Sequence, residues 1–252
     1  MGHWYTKDGE PRHFTPKANG GGMRNTTLAD ARKLGLLPGV TEILNVLAKP
    51  GLERWKTQQA IMAVVTAPDV PGEGLDAKIE RVLYTENQAG EESAKARDRG
   101  TELHAALDNL FQGREIPAEL EPWVLPAYKH IKSMGGTIKA TEQVLVGDGY
   151  AGRCDMILGF MLPHEHDVVV DFKTAKTLPT KGSWDEHRMQ LAAYARAWHK
   201  DHGHTLVDTA NLYISTVEPG KFAWFDNGDL NEDYFAFISC VRLWQHFNNY
   251  KP

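Results

Sequence analysis

The residues best placed to do chemistry close a run of valines: Val168-Val169-Val170-Asp171-Phe172-Lys173. In a strand, residues i and i+2 point the same way, so Asp171 and Lys173 share a face, about 6–7 Å apart at the backbone. Val168, Val170 and Phe172 take the other face. A charged pair at that position needs solvent, a partner or a metal ion, and a strand emerging at a sheet edge would meet the same need. Asp155 belongs to the preceding strand, among Ala151 and Ile157. If the two strands pair, Asp155 and Asp171 converge, and a divalent cation resolves the repulsion of two close carboxylates. A solvated strand face is the alternative for Asp155. Glu142, one strand earlier, shares its face with Ile138, Ala140, Val144 and Val146. A glutamate there needs a reason, and an ion pair with Arg153 would be one. His104 lies on a helix, about 100° round from its apolar stripe. It reads as a hydrogen-bonded boundary residue, or as a metal ligand if that helix packs over the carboxylate strands. Gln190 and Tyr194, four apart, stack on one helix face, and Tyr194 also belongs to that helix's core stripe.

These residues must be held by elements that the hydrophobic pattern outlines. Trp4–Thr6, the Asp8-Gly9 turn and Arg12–Phe14 read as a hairpin, and Gly20-Gly21-Gly22 as a flexible break. Residues 28–66 are helical in pieces, broken at Pro38-Gly39 and Pro50-Gly51, with a loop at 67–75. Helices are expected over 76–112, with the stripe Leu103, Ala106, Leu107, Leu110 and Phe111, and over 119–134. The period then changes to that of strands at 138–146, 150–158 and 167–173. A helix over 184–200, a strand over 209–217 and a last helix over 231–249 follow, the last opened by an Asp229/Glu232 capping box. This order fits one α/β domain with a small mixed sheet.

Composition narrows the function classes. The 252 residues are 42% apolar and 24% charged, with a net charge of -5, so a uniformly basic nucleic-acid coat is excluded. The charge is unevenly spread: residues 12–56 carry +5 and 171–200 carry +3, against -7 for 69–122 and -4 for 201–252. One basic groove on an acidic body fits that distribution. Two cysteines, Cys154 and Cys240, cannot build a disulfide framework, a four-Cys zinc site or a four-Cys iron–sulfur cluster. They point to a reducing cytoplasm. No apolar stretch reaches a membrane span, and the N-terminus lacks the apolar core of a signal peptide. HExxH, P-loop and G-x-S-x-G motifs are missing, which leaves zincins, P-loop ATPases and the usual serine-hydrolase elbow unsupported.

Taken in order, Gly100-x-x-x-His104, Glu142, Gly152-x-x-Asp155, Asp171-x-Lys173 and Gln190-x-x-x-Tyr194 resemble the PD-(D/E)xK nuclease superfamily in its RecB-like exonuclease branch. The match covers about residues 100–216. Upstream, Pro38–Leu44, Leu52–Lys56 and the Trp4–Phe14 hairpin look like the N-terminal part of phage-encoded members. The resemblance implies a restriction-endonuclease-like α/β core over 100–252, a small mixed sheet flanked by helices, with an N-terminal hairpin and helical region over 1–99 packed on it. It implies a DNA exonuclease using Mg²⁺ or Mn²⁺ in phage or bacterial recombination, repair or processing, in the cytoplasm of a bacterial host. Asp155, Asp171, His104 and the main-chain carbonyl of Phe172 would be metal ligands. Lys173 would be the catalytic lysine, and Glu142 would touch a second metal or orient water. Gln190 and Tyr194 would brace the site or meet the scissile phosphate. DNA, single- or double-stranded, would be the partner, with a phage single-strand-binding or annealing protein beside it. Two departures stand out: Cys154 occupies the position of the superfamily's proline, and the four-Cys iron–sulfur cluster of many RecB-like members cannot be built.

Hard oxygen ligands suit Mg²⁺, an imidazole also admits Mn²⁺, and a lysine ammonium can stabilise charge developing on a phosphate. Arg54 and Trp55 could clamp and stack a single strand, and Lys176 and Arg188 could meet phosphates. Packing for Trp55 and solvation for the cations are the plain alternatives. His164-Glu165-His166-Asp167 reads as a solvated loop more readily than as a zinc site. Two other functions stay open: a catalytically silent nucleic-acid-binding recombination accessory on the same scaffold, and a zinc hydrolase built on that loop.

Overall fold

The computed structural model describes residues 2–85, 88–161, 164–203, 206–228 and 230–252. The chain falls into two compact units, Met1–Leu47 with Leu103–Pro252, and Ala48–Glu102.

The first unit is built on a five-stranded mixed sheet. Its strands are β5 (Thr137–Gly147), β6 (Tyr150–Phe160), β7 (His166–Ala175), β8 (Leu206–Ser215) and β9 (Phe222–Asp226), in that spatial order. The four strands preceding them in the chain are short: β1 (Trp4–Tyr5), β2 (Phe14–Pro16), β3 (Met23–Asn25) and β4 (Leu37–Pro38). β5, β6 and β7 run antiparallel, β7 and β8 parallel, and β8 and β9 antiparallel. Parallel neighbours need a crossover of a dozen residues or more. Helix α7 (Asp185–Asp201) supplies it, the seventh helix after α1 (Leu28–Leu34), α2 (Val40–Leu44), α3 (Pro50–Thr66), α4 (Leu75–Glu80), α5 (Gln88–Phe111) and α6 (Glu121–Ser133). The eighth, α8 (Asn231–Asn248), closes the chain.

Each face of the sheet has its own core. On one, Leu145, Cys154, Ile157 and Val169 pack with Leu191 and Trp198 of α7, Phe237 and Trp244 of α8, Ile43 and Leu44 of α2, and Trp4. On the other, Met156, Leu158, Val170, Phe172 and Leu212 pack with Leu103 and Leu107 of α5 and Val124 and Ile131 of α6. Each fully buried Leu, Ile or Phe contributes about 1.5–3 kcal/mol. This is the mixed α/β arrangement expected from the pattern, a five-stranded sheet flanked by helices and compatible with a restriction-endonuclease-like core.

Several local expectations change. The Asp8-Gly9 turn forms, and Arg12 N–H bonds back to the Trp4 carbonyl at 2.7 Å. The ladder partner of β1, however, is β4, more than thirty residues on in the chain. Phe14 pairs instead in the β2–β3 hairpin, whose turn is the Gly20–Gly22 segment, with Lys17 N–H on the Gly22 carbonyl at 2.8 Å. Pro50 opens α3 rather than breaking a helix, as a first-turn proline can, because its missing N–H has no intrahelical partner there. β9 was not legible in the sequence. The capping-box residue Asp229 lies outside the described residues. Asp167, expected both as the last residue of the His164–Asp167 loop and as the first of a strand, is a fully buried residue of strand β7.

In the second unit, α3 and α4 are followed by a π-helical turn at Arg81–Thr85 and by the first part of α5. Arg81 grips Glu73 through two hydrogen bonds of 2.8 and 2.7 Å. No described helix is long and apolar enough to cross a membrane.

Candidate active site

The site forms where two strands part. The β6–β7 ladder runs from Phe160↔His166 to Met156↔Val170 and stops, while β7 continues to Ala175 against β8. Beyond that point the Phe172 N–H lacks a strand partner on the β6 side, and the Asp155 side chain supplies one: Oδ2 accepts from Phe172 N at 2.5 Å. The Asp155 carboxylate is therefore fixed against β7 as if it were the next rung of the ladder. Its other oxygen, Oδ1, lies 3.8 Å from His104 Nδ1 on α5.

Asp171 is 2% exposed and shares its face with Lys173, as the strand period required. Lys173 Nζ lies 2.5 Å from Asp171 Oδ2. The ammonium answers the charge of this buried oxygen, and its contact opposes the rise that burial imposes on the carboxyl. Gln190 of α7 donates from Nε2 to Asp171 Oδ1 at 3.2 Å and to Tyr194 Oη at 3.0 Å. The four-residue spacing of Gln190 and Tyr194 thus works as a strut from helix to strand. Gly152 makes room for it: a Cβ there would lie 2.6 Å from Tyr194 Cε1. Gly152→Ala is expected to push the Tyr194 ring aside, break its bond to Gln190, and cost about 1–3 kcal/mol in a denaturant melt. Wild-type stability with an unmoved Tyr194 would contradict the strut.

The charges are strongly coupled. Burial pushes the Asp171 carboxyl above the usual carboxylate range, and Asp155 adds to this while Lys173 opposes it. Burial alone would depress Lys173, but Asp171 and Asp155 outweigh it and hold the ammonium protonated. Burial likewise disfavours the His104 imidazolium, and Asp155 more than compensates, raising its pKa. Glu142 is raised by burial first and by Asp155 second.

The structure brings together His104, Asp155, Asp171, Phe172, Lys173, Gln190 and Tyr194. Glu142 stands at the margin, at φ +51°, with its carboxylate paired to Arg153 Nε at 2.8 Å. That is the ion pair the sequence left open. A bulge at Lys139 shifts the register, so Ile138 and Ala140 join different cores and the uniform apolar face expected around Glu142 does not exist. Arg188 is held by Asp233 of α8 at 2.7 Å, while Lys176 is exposed just past β7. Arg54 is exposed and Trp55 half-buried on α3, in the second unit. His166 meets the His164 carbonyl at 2.9 Å. Sequence reasoning missed Asn211, which is buried and reaches toward the Asp171 carbonyl at 3.5 Å, and Tyr213, the register partner of Lys173. Only the parallel pairing with β8 reveals either.

Among the described residues no three His, Cys, Asp or Glu side chains are close enough together to hold a metal ion as they stand, and Lys173 neutralises Asp171. The donor set nonetheless suits a hard divalent cation. It offers a buried carboxylate whose counter-charge is a lysine, a second carboxylate fixed through its far oxygen, and an imidazole beside it.

No family model matches the chain, and no curated protein matches it. Among solved structures the chain is similar to SSO0001, with a TM-score of 0.33 and 16% identity, covering 82% of this chain and 72% of that one. It is also similar to the alkaline exonuclease LHK-Exo from Laribacter hongkongensis, with a TM-score of 0.31 and 13% identity, covering 56% of this chain and 78% of that one.

Proposed function

We propose that this protein is a divalent-metal-dependent DNA nuclease of exonuclease type, serving recombination, repair or processing of phage or bacterial DNA. One observation carries the reading: Asp155 and Asp171 converge where β6 leaves β7, with the Lys173 ammonium against the buried Asp171 oxygen. Asp155, Asp171, His104 and the Phe172 carbonyl are the residues that would hold Mg²⁺ or Mn²⁺. The bound ion would supply a Lewis acid for the phosphoryl oxygen and a water of lowered pKa.

The chain's own residues do the rest. The Phe172 N–H fixes the orientation of Asp155. Gln190, braced by Tyr194, fixes Asp171. Lys173, whose ammonium lies against Asp171, would be the cation that answers the charge developing on the phosphate. Glu142, with its raised pKa and Arg153 partner, orients water at the margin. His104 must shed its proton to ligate, so its elevated pKa makes proton and metal competitors. Lys176 is the exposed cation next along the chain and meets substrate phosphates, while Arg54 and Trp55 are proposed as nucleic-acid contacts of the second unit by itself. Arg188 would have to leave Asp233 to reach a phosphate.

The test is a gel assay on end-labelled single- and double-stranded DNA. Degradation is expected with Mg²⁺ or Mn²⁺ and none with EDTA. Degradation undiminished by EDTA, or none with either metal, would defeat the reading.

A further inference from the structure

We infer that Trp184 is the platform on which an unpaired nucleobase of the substrate strand stacks beside Lys173; this rests on the nuclease reading above and deepens it. The residue is 46% exposed at the entrance to α7. Its ring meets the Tyr213 ring edge-on at 5.3 Å and the His187 ring at 5.3 Å, tilted by 55°. Its main-chain N–H donates to Tyr213 Oη at 3.2 Å. That oxygen also lies 2.8 Å from His187 Nδ1, within hydrogen-bond reach. Tyr213, in turn, is wholly buried and pairs in register with Lys173 across two parallel strands, so both side chains leave the same face of the sheet. The indole is thus clamped at one side, open at the other, and one side chain removed from the reacting lysine.

An aromatic ring that is rigid, half open and next to a phosphate-directed cation is the arrangement that holds a single strand without reading its sequence. A base inside a duplex has both faces covered and cannot use it, so the platform selects an unpaired nucleotide. The exposed Lys176 and Lys181 on the loop leading to Trp184 provide cations for the flanking phosphates.

The experiment measures binding of a labelled single-stranded oligonucleotide by anisotropy in EDTA, where hydrolysis is stopped. Trp184→Ala is expected to weaken binding by about 5- to 150-fold, the range for losing one stacked base, and Trp184→Phe to recover most of it. Moving one abasic position along the oligonucleotide should reproduce the loss at a single position in the wild type and add nothing in Trp184→Ala. A covalently closed duplex circle, which offers no unpaired base, should bind both proteins alike. Equal affinity of wild type and Trp184→Ala, or an abasic penalty of equal size in both, overturns the platform. Should Trp184→Ala lose its thermal transition, Trp184→Leu takes its place, and an abasic scan without any sensitive position overturns the inference on the wild type alone. The two readings fail separately. A protein that binds through Trp184 but never cleaves with Mg²⁺ defeats the nuclease and keeps the platform. One that cleaves, with affinity indifferent to residue 184, does the reverse, and one that neither binds nor cleaves defeats both.

Discussion

Asp171→Asn is expected to abolish DNA hydrolysis, by on the order of 10³-fold or more, in a protein that still folds. Asparagine keeps the shape of the side chain and an oxygen for the Gln190 amide, but removes the negative charge that a cation and Lys173 both require. Asp171→Ala should be as inactive but less stable. It strips the partner from a largely buried ammonium, and breaking a buried pair from one side costs about 3–5 kcal/mol. Lys173→Ala should also be inactive, for a different reason: its carboxylates remain and can still hold metal, while the charge on the phosphate goes unanswered. Single-turnover cleavage beside a urea melt separates these effects. Full activity in Asp171→Asn or Lys173→Ala would remove the site from the chemistry.

A large effect on stability is also expected away from the site, at Asp167. This carboxylate is fully buried on β7 and accepts from Trp198 Nε1 of α7 at 2.8 Å, while Lys139 Nζ lies 2.6 Å from its other oxygen. Asp167→Ala leaves a buried indole N–H without an acceptor and opens a small cavity. The expected cost is about 2–4 kcal/mol, or about 5–15 °C in the unfolding midpoint for a chain of this length. Lys139, partly exposed on its bulge, can turn to water and limits the loss. Asp167→Asn, which keeps an acceptor for Trp198, should lose less than half as much. An unchanged midpoint in Asp167→Ala would contradict the role given to this carboxylate.

The legible parts of the molecule are those whose physics is local. The valine run ending in Asp171-Phe172-Lys173 declares a strand and the face its charges share, and the 103–111 stripe declares which side of α5 is buried. The spacing of Gln190 and Tyr194 declares a strut but not its anchor. What stayed hidden depends on pairing between distant segments. β1 finds β4 because a two-residue strand has too few rungs to choose a neighbour from its own sequence. Arg188 finds Asp233 only because α7 packs on α8. Tyr213 comes beside Lys173 only through the parallel ladder, and with it His187 and Trp184. Glu142 shows the limit most clearly: the period placed it on an apolar face, but the bulge at Lys139 and its own left-handed backbone turn it to Arg153. The need for glycine at 152 became visible only with the Tyr194 ring against it.

The most direct measurement is a titration of Mn²⁺ into the purified protein, followed by electron paramagnetic resonance of the free ion, with wild type, Asp171→Asn and Lys173→Ala side by side. Saturable binding is expected in the wild type, its loss in Asp171→Asn, and its retention in Lys173→Ala. Binding that survives Asp171→Asn unchanged, or a wild type that degrades DNA while holding no divalent cation, would contradict the assignment of Asp155 and Asp171 as the heart of a metal-dependent nuclease.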